Sequence, residues 1–324
     1  MNRDAYFDAP ALSNSAMKDL AISPYRYWYH WLNPDRPARP STPEMTFGSA
    51  LHCKALEPDQ FTARYAPALD ASLIDGCLVT VADLRTWADS HGFKLKGNLK
   101  AELIAQVQAA TPDVPIFDVL QARHAEETAS KTTLKQADWA RVLSCAAALQ
   151  REPKFTELMR CGEAEYPMFA TDPELGVPLK ARMDWASDVV TLDLKTFSQQ
   201  RGASIDKTVT NAIWYEGYYI QAYFYSFIRS LQPGFSRPGI AALAPPFILA
   251  FVESEEPHEV RLRVLRPKAG GEVNMLWERA RLQVRGLIRL YAHYWETFGT
   301  SPWRESRDLE DLCDEEFPQI AYGI

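Results

Sequence analysis

Cysteine is scarce in this chain of 324 residues: Cys53, Cys77, Cys145, Cys161 and Cys313 are scattered, odd in number and never spaced as C-x-x-C. That argues against a disulfide framework, a zinc knuckle or an iron–sulfur cluster, and fits a reducing cytosol. Long apolar runs are also missing. The longest, near IAALAPPFILAFV, is short and broken by prolines, and the opening MNRDAYFDAP has no charged-then-apolar leader pattern. A soluble, cytoplasmic protein with no membrane partner is expected. Nor is there an excess of basic charge: the formal net charge is −7. That weighs against a protein that coats nucleic acid by charge alone, though not against a local basic surface beside an acidic site.

What is present is enough apolar residue for a large core, 47% over the whole chain, so one large domain or a core domain carrying an insert is expected. Three segments carry chemistry. In VVTLDLK, Asp193 and Lys195 stand two apart in a run rich in Val and Leu; on a strand both side chains leave the same face. AEYPMFAT, VPLKARMDWAS and DVVTLDLKTF read as three consecutive strands, and in the middle one Lys180, Arg182 and Asp184 alternate with Leu179, Ala181 and Met183, giving one charged face on which Lys180 and Arg182 are expected to contact DNA phosphate. STPEMTFGSALHCKALEP reads as a helix opened by a capping box of Ser41 and Glu44 around Pro43, with Gly48 and His52 one turn apart. NAIWYEGYYIQAYFYSFIRSL reads as one helix with Trp214, Tyr218, Gln221 and Tyr225 along a stripe, and Gln and Tyr bring hydrogen-bonding groups to it.

The remaining segments frame these. LSNSAMKDLAISPYRYWYHWLNP starts as a helix, breaks at Ser23 and Pro24 and ends in a dense set of aromatic residues around Arg26. That set either packs the N-terminal helices onto the core or lets Arg26, with Ser13 or Ser15, take a phosphate while an exposed ring such as Trp28 stacks on a base. From 72 to 118 the character changes to helix, Gly-containing turn, Lys-rich linker and second helix, with Leu84, Trp87, Ala88, Leu99, Leu103 and Val107 as a small core. The chain thus divides into N-terminal helices (1–71), an inserted helical module (72–118) and a catalytic core (119–324). KTTLKQADWARVLSCAAALQREPKFTELM reads as helical scaffold, FILAFVES and HEVRLRVL as two more strands, and about Glu272 to Phe298 as a long amphipathic helix followed by an acidic tail.

A site of His52, Asp184, Asp193 and Lys195 suits phosphodiester hydrolysis. Mg²⁺ is hard and oxygen-seeking, and Asp184, Asp193, the Leu194 carbonyl and His52 could hold one or two such ions. Lys195 would orient the attacking water or neutralise charge on the phosphoryl oxygens. Glu165, on the preceding strand, could complete the metal shell.

The order G-x-x-x-H, E, D, D-x-K, Q-x-x-x-Y across Gly48–His52, Glu165, Asp184, Asp193–Lys195 and Gln221–Tyr225 resembles the PD-(D/E)XK nuclease superfamily, with flanking text similar to the exodeoxyribonuclease VIII type. D-x-K alone is expected by chance about once in a chain of this length; the ordered set of five is the specific signal. The resemblance spans most of the chain apart from the module and the tail. It implies an α/β (α+β) fold with a restriction-endonuclease-like core, a central mixed sheet flanked by helices. It also implies a Mg²⁺-dependent exonuclease, with Mn²⁺ substituting, that acts on double-stranded DNA ends and leaves 3′ overhangs for phage-type recombination. A ring-shaped homo-oligomer, trimer or tetramer, and a single-strand annealing partner come with it. Asp184, Asp193, Lys195, Glu165, Gln221 and Tyr225 would be catalytic. Ser23 stands where related nucleases place a cluster cysteine, so no iron–sulfur cluster is expected. A site-specific or structure-specific endonuclease is the alternative. The module resembles the SAP family of DNA-binding motifs, which would make Lys94, Lys96 and Lys100 backbone contacts; otherwise it is a structural insert with a basic edge.

Overall fold

A computed structural model of the chain describes residues 3–37, 40–233, 245–267 and 274–304. At the N-terminus a short helix α1 (Arg3–Asp8) precedes α2 (Asn14–Ile22), which begins where Ser13 Oγ accepts the Ala16 N–H. Ser23 caps α3 (Pro24–Tyr27) in the same way, and this helix passes into a π-helical turn at Trp28–Leu32. Both caps satisfy N–H groups that a helix start leaves open.

Helix α4 (Pro43–Leu56) has Thr42, not Ser41, as its cap: Thr42 Oγ1 accepts the Met45 N–H while Ser41 Oγ pairs with Thr46 Oγ1. Pro43 then occupies the first helical position, which needs no N–H, so the cap falls one residue later than expected and, with Met45 in the third helical position, the expected Ser41–Glu44 box is not formed. After α5 (Pro58–Arg64), a strand β1 (Tyr65–Pro67) leads into the insert, whose helices are α6 (Val81–Ser90), α7 (Lys100–Ala110) and α8 (Phe117–Glu127). These enclose a core of their own: Leu78, Leu84, Leu103, Val107 and Ile116, with Trp87 and Leu95 against it. Leu95 fills the place expected of Leu99, which is 66% exposed ahead of α7. Because α8 runs through residue 118, the helical module extends past that expected boundary. The chain leaves it through β2 (Thr132–Leu134), expected as helix, which pairs in parallel with β1 and so draws the two ends of the insert together.

Helices α9 (Gln136–Arg151) and α10 (Pro153–Leu158) precede the main sheet. Its first strands are β3 (Glu163–Thr171), β4 (Pro178–Ser187) and β5 (Val190–Phe197). Two helices follow, α11 (Ile205–Tyr215) and α12 (Tyr218–Ser230), then β6 (Phe247–Glu253), β7 (Val260–Leu265) and α13 (Met275–Phe298). Glu272 and the acidic tail lie outside the described residues. The sheet order is β3-β4-β5-β6-β7, antiparallel except for the parallel β5–β6 pair. This is the expected mixed α/β fold. Alternation assigns the faces: on β6, Phe247, Leu249 and Phe251 join the core beneath α11, α12 and α13, while Ala250 and Val252 join the core beneath α4 and α9. Helices on both sides explain why β6 is an unbroken apolar run. Among the described residues no helix is long and apolar enough to cross a membrane.

The helix expected over 211–231 is two helices. Gly217, at φ +67°, breaks it in a left-handed conformation that favours glycine. The break takes Trp214 off the stripe of Tyr218, Gln221 and Tyr225; its ring instead stacks on Tyr219 at 5.5 Å beneath Arg279.

Candidate active site

On β5, Leu192 and Leu194 enter the core beneath α4 and α9, so Asp193 and Lys195 face α12. Asp193 is 2% exposed; its Oδ1 accepts a hydrogen bond from Gln221 Nε2 at 2.6 Å, and its Oδ2 is ion-paired with Lys195 Nζ. Lys195 Nζ lies 4.9 Å from the centre of the Tyr218 ring, and the Tyr225 hydroxyl bonds to Gln221. Burial alone would push the Lys195 ammonium down, but Asp193 and Asp184 outweigh it and hold its pKa above the ordinary value. Burial drives Tyr225 well above the usual phenol range.

Strands β4 and β5 pair only from Trp185↔Leu192 to Ser187↔Val190 and then part. The gap opens beside Asp184 and leaves the Leu194 backbone on that edge to bond with side chains instead of β4. Leu194 N–H donates to Asp184 Oδ2 at 2.8 Å, and its carbonyl lies 3.0 Å from His52 Nε2, while His52 Nδ1 lies 3.4 Å from the same Asp184 oxygen. Helix α4 therefore delivers His52 from one face of the sheet and α12 delivers Gln221 from the other. Burial raises the Asp184 pKa, with His52 acting against it.

Glu165 faces Asp184 across β3 and β4, since Ala164↔Trp185 and Tyr166↔Met183 bracket the two. Its φ of +54° is unusual for a residue with a side chain. The pleat changes hand there: Ala164 and Trp185 pack in the α4–α9 core and Tyr166 and Met183 in the core beneath α2, α12 and α13, though residues two apart ordinarily share a face. The adjoining Gly162, at φ +147°, has room for no Cβ, which would meet Trp185 Nε1 at 2.5 Å. Glu165 accepts Arg182 Nε at 2.8 Å, and burial raises its pKa. Glu165, His52, Asp184 and Lys195 line a cleft of about 1030 Å³, with Tyr6, Arg64, Arg182 and Tyr218 among its other walls.

Residues 13–298 match the family described as "PDDEXK-like domain of unknown function (DUF3799)". The chain belongs to this family. The match places this DUF3799 domain in the PD-(D/E)XK nuclease superfamily. A protein from Eubacterium rectale whose crystal structure is described as "Putative exonuclease" is similar at 16% identity and TM-score 0.51, over 90% of this chain and 85% of its own. At that identity the likeness shows the fold alone. The crystal structure of SSO0001 aligns at 12% identity over 78% of this chain and 87% of its own, and its TM-score of 0.27 carries no argument. No curated protein matches.

PD-(D/E)XK nucleases generally use a divalent metal, and this DUF3799 site fits one. His52, Glu165 and Asp184 offer ligand atoms within 4.8 Å of one another, and buried Asp193 Oδ2 is held by the Lys195 ammonium. Two or three carboxylates, a carbonyl and an imidazole form a mainly oxygen donor set that suits a divalent cation.

Other expected site residues lie elsewhere. Lys180 is buried, and its Nζ donates to the carbonyls of Tyr6, Phe7 and Ala9. It seats α1 beside the cleft, so its expected phosphate contact gives way to an anchoring role. Ser13 is a helix cap and Ser15 is exposed on α2. Arg26 pairs with Asp19, a buried carboxylate that also takes the Trp31 N–H. Trp28 stacks on Tyr25 and donates to the Thr300 carbonyl, so the N-terminal aromatics pack as structure. In the insert Lys94 and Lys96 are exposed, while Lys100 pairs with Asp118 at 2.6 Å. Sequence reasoning missed Tyr6, Arg64 and Lys18 as neighbours of the site. Lys18 Nζ donates to the Glu216 carbonyl at 2.8 Å and lies 5.8 Å from the Tyr218 ring centre. Only its place on the face of α2 turned toward the Gly217 break brings it there, and no local motif marks it.

Proposed function

We propose that this protein is a Mg²⁺-dependent exonuclease that digests double-stranded DNA from its ends, 5′ to 3′, and leaves 3′ overhangs. The observation that carries the reading is the convergence of His52, Glu165, Asp184 and Lys195 in one open cleft, with buried Asp193 ion-paired to Lys195 and the Leu194 carbonyl against His52. A bound divalent ion would polarise the phosphate and lower the pKa of the attacking water. The residues of the chain do the rest. Asp193 is aimed by Gln221, Asp184 by the Leu194 N–H, and neither has to reorganise as charge develops. Lys195 orients the water or neutralises charge on the phosphoryl oxygens. Arg182 holds Glu165 toward Asp184 and offers a guanidinium to the substrate backbone.

By the same reading the protein works in the cytoplasm as a ring-shaped homo-oligomer. It passes its strand to an annealing protein in phage-type recombination. The test is digestion of linear and covalently closed duplex DNA in Mg²⁺, with each strand labelled at either end. Loss of the linear DNA alone, starting at the 5′ label, is the expected result. Cutting of the closed circle would instead make the protein an endonuclease.

The insert is part of this proposal as a second DNA contact. Exchanging Lys94 and Lys96 for Gln should weaken duplex binding and flatten its dependence on log salt by about 0.9 per lost phosphate contact, read by titration at several salt concentrations. An unchanged slope would leave the insert as structure alone.

A further inference from the structure

The arginines and lysine that line the cleft are each neutralised within the protein. Lys195 pairs with Asp193, Arg182 with Glu165 and Arg64 with Glu57. On the N-terminal helices, Arg26 pairs with Asp19. Lys18 differs. It is exposed on α2, and among the described residues no carboxylate pairs with it. Its Nζ is nonetheless held in place by the Glu216 carbonyl, and it approaches the Tyr218 ring that Lys195 also covers. Burial and the neighbouring Lys195 lower its pKa, with Glu216 and Asp193 acting against them, and an ammonium that donates to one carbonyl has two further donors to give.

We propose that Lys18 binds a DNA backbone phosphate adjacent to the scissile one, with Tyr218 as the spacer between it and Lys195. This rests on the nuclease reading above and adds a substrate contact to it. The Glu216 carbonyl ends α11, and a cation there is also favoured by the helix dipole, which is the purely structural role the lysine could have. The two roles separate by charge. A helix-end contact changes stability, whereas a phosphate contact changes how binding responds to salt, because each neutralised phosphate releases counterions.

The experiment uses the full chain and a short labelled duplex, with Ca²⁺ replacing Mg²⁺ for binding and Mg²⁺ restored for kinetics. Wild type is compared with Lys18→Met, Lys18→Gln and Lys18→Arg, with the melting temperature of each recorded. Lys18→Met and Lys18→Gln are expected to bind about five- to tenfold more weakly, with the salt slope flatter by about 0.9. KM should rise more than kcat falls, and Lys18→Arg should restore the slope. A wild type that binds and cuts duplex DNA beside neutral variants of unchanged slope and KM overturns the role of Lys18 and leaves the nuclease reading standing. A wild type that neither binds nor cuts DNA takes both down. Two neutral variants keep the comparison open should one of them fail to fold.

Discussion

Asp193→Asn should reduce DNA hydrolysis by at least about a hundred- to a thousandfold, the scale of losing one preorganised electrostatic group at a reacting centre. The substitution keeps the shape of the side chain and an oxygen for Gln221, so the α12–β5 contact survives. It removes the negative charge that pairs with Lys195 and that the site offers to a cation. With Asp193 neutral, burial acts on the Lys195 ammonium with Asp184 and the weaker Tyr218 left to oppose it, and Lys195 loses much of the bias that keeps it charged. Two measurements check this: single-turnover cleavage in Mg²⁺, and duplex affinity in Ca²⁺. Cleavage should collapse while affinity changes little. Near-wild-type cleavage would remove Asp193 from the mechanism and with it the proposed site.

The second large effect is on stability. Arg229, 2% exposed near the C-terminal end of α12, donates through Nη1 to the Val190 carbonyl at 2.9 Å and to Thr191 Oγ1 at 2.6 Å, and through Nη2 to the Ser187 carbonyl. All three acceptors belong to the turn and first residues of the hairpin that carries Asp193. Helix α12 thus grips β5 twice, through Gln221 at Asp193 and two turns later through Arg229 at the hairpin. Burial lowers the Arg229 pKa, with Asp188 opposing it, so the group is held charged where charge is costly. Arg229→Met fills most of the volume but strands buried acceptors, and should cost about 3 kcal/mol or more. Urea unfolding followed by far-UV circular dichroism reads it. A loss under about 1 kcal/mol would show that the hairpin does not depend on this clamp. Arg229→Lys should recover only part, because a lysine cannot present two donors in a fixed plane.

The reach of sequence reasoning follows from the range of the interactions involved. Asp193 and Lys195 were legible because a two-residue repeat in a β-rich run dictates a shared face, and the apolar FILAFV was legible as a strand covered on both sides. Lys180 shows where that logic stops. Alternation correctly set it beside Arg182 and Asp184, yet the carbonyls it serves come from Tyr6, Phe7 and Ala9, more than 170 residues away in the chain. Gly217 was misread because Trp214, Tyr218, Gln221 and Tyr225 fit an unbroken helical period, and a glycine within such a period is tolerated as often as it terminates. Leu95 and Leu99 each fit the small core of the insert; the loop conformation chose Leu95. Thr132–Leu134 became a strand because β1 was there to pair with it.

By itself, then, the sequence determined the mixed α/β class, the strands of the main sheet and the order of the motif residues along the chain, since these depend on local periodicity and on a motif order that survives without coordinates. Only the tertiary structure decided that β4 and β5 part beside Asp184, so that His52 and Gln221 converge from opposite faces of one sheet. It alone showed that Glu165 sits in a left-handed conformation facing Asp184 and that Lys18 lies beside Tyr218 with no carboxylate ion-paired to it among the described residues. Those features depend on where strands diverge and helices end, and the packing of residues distant in the chain sets both.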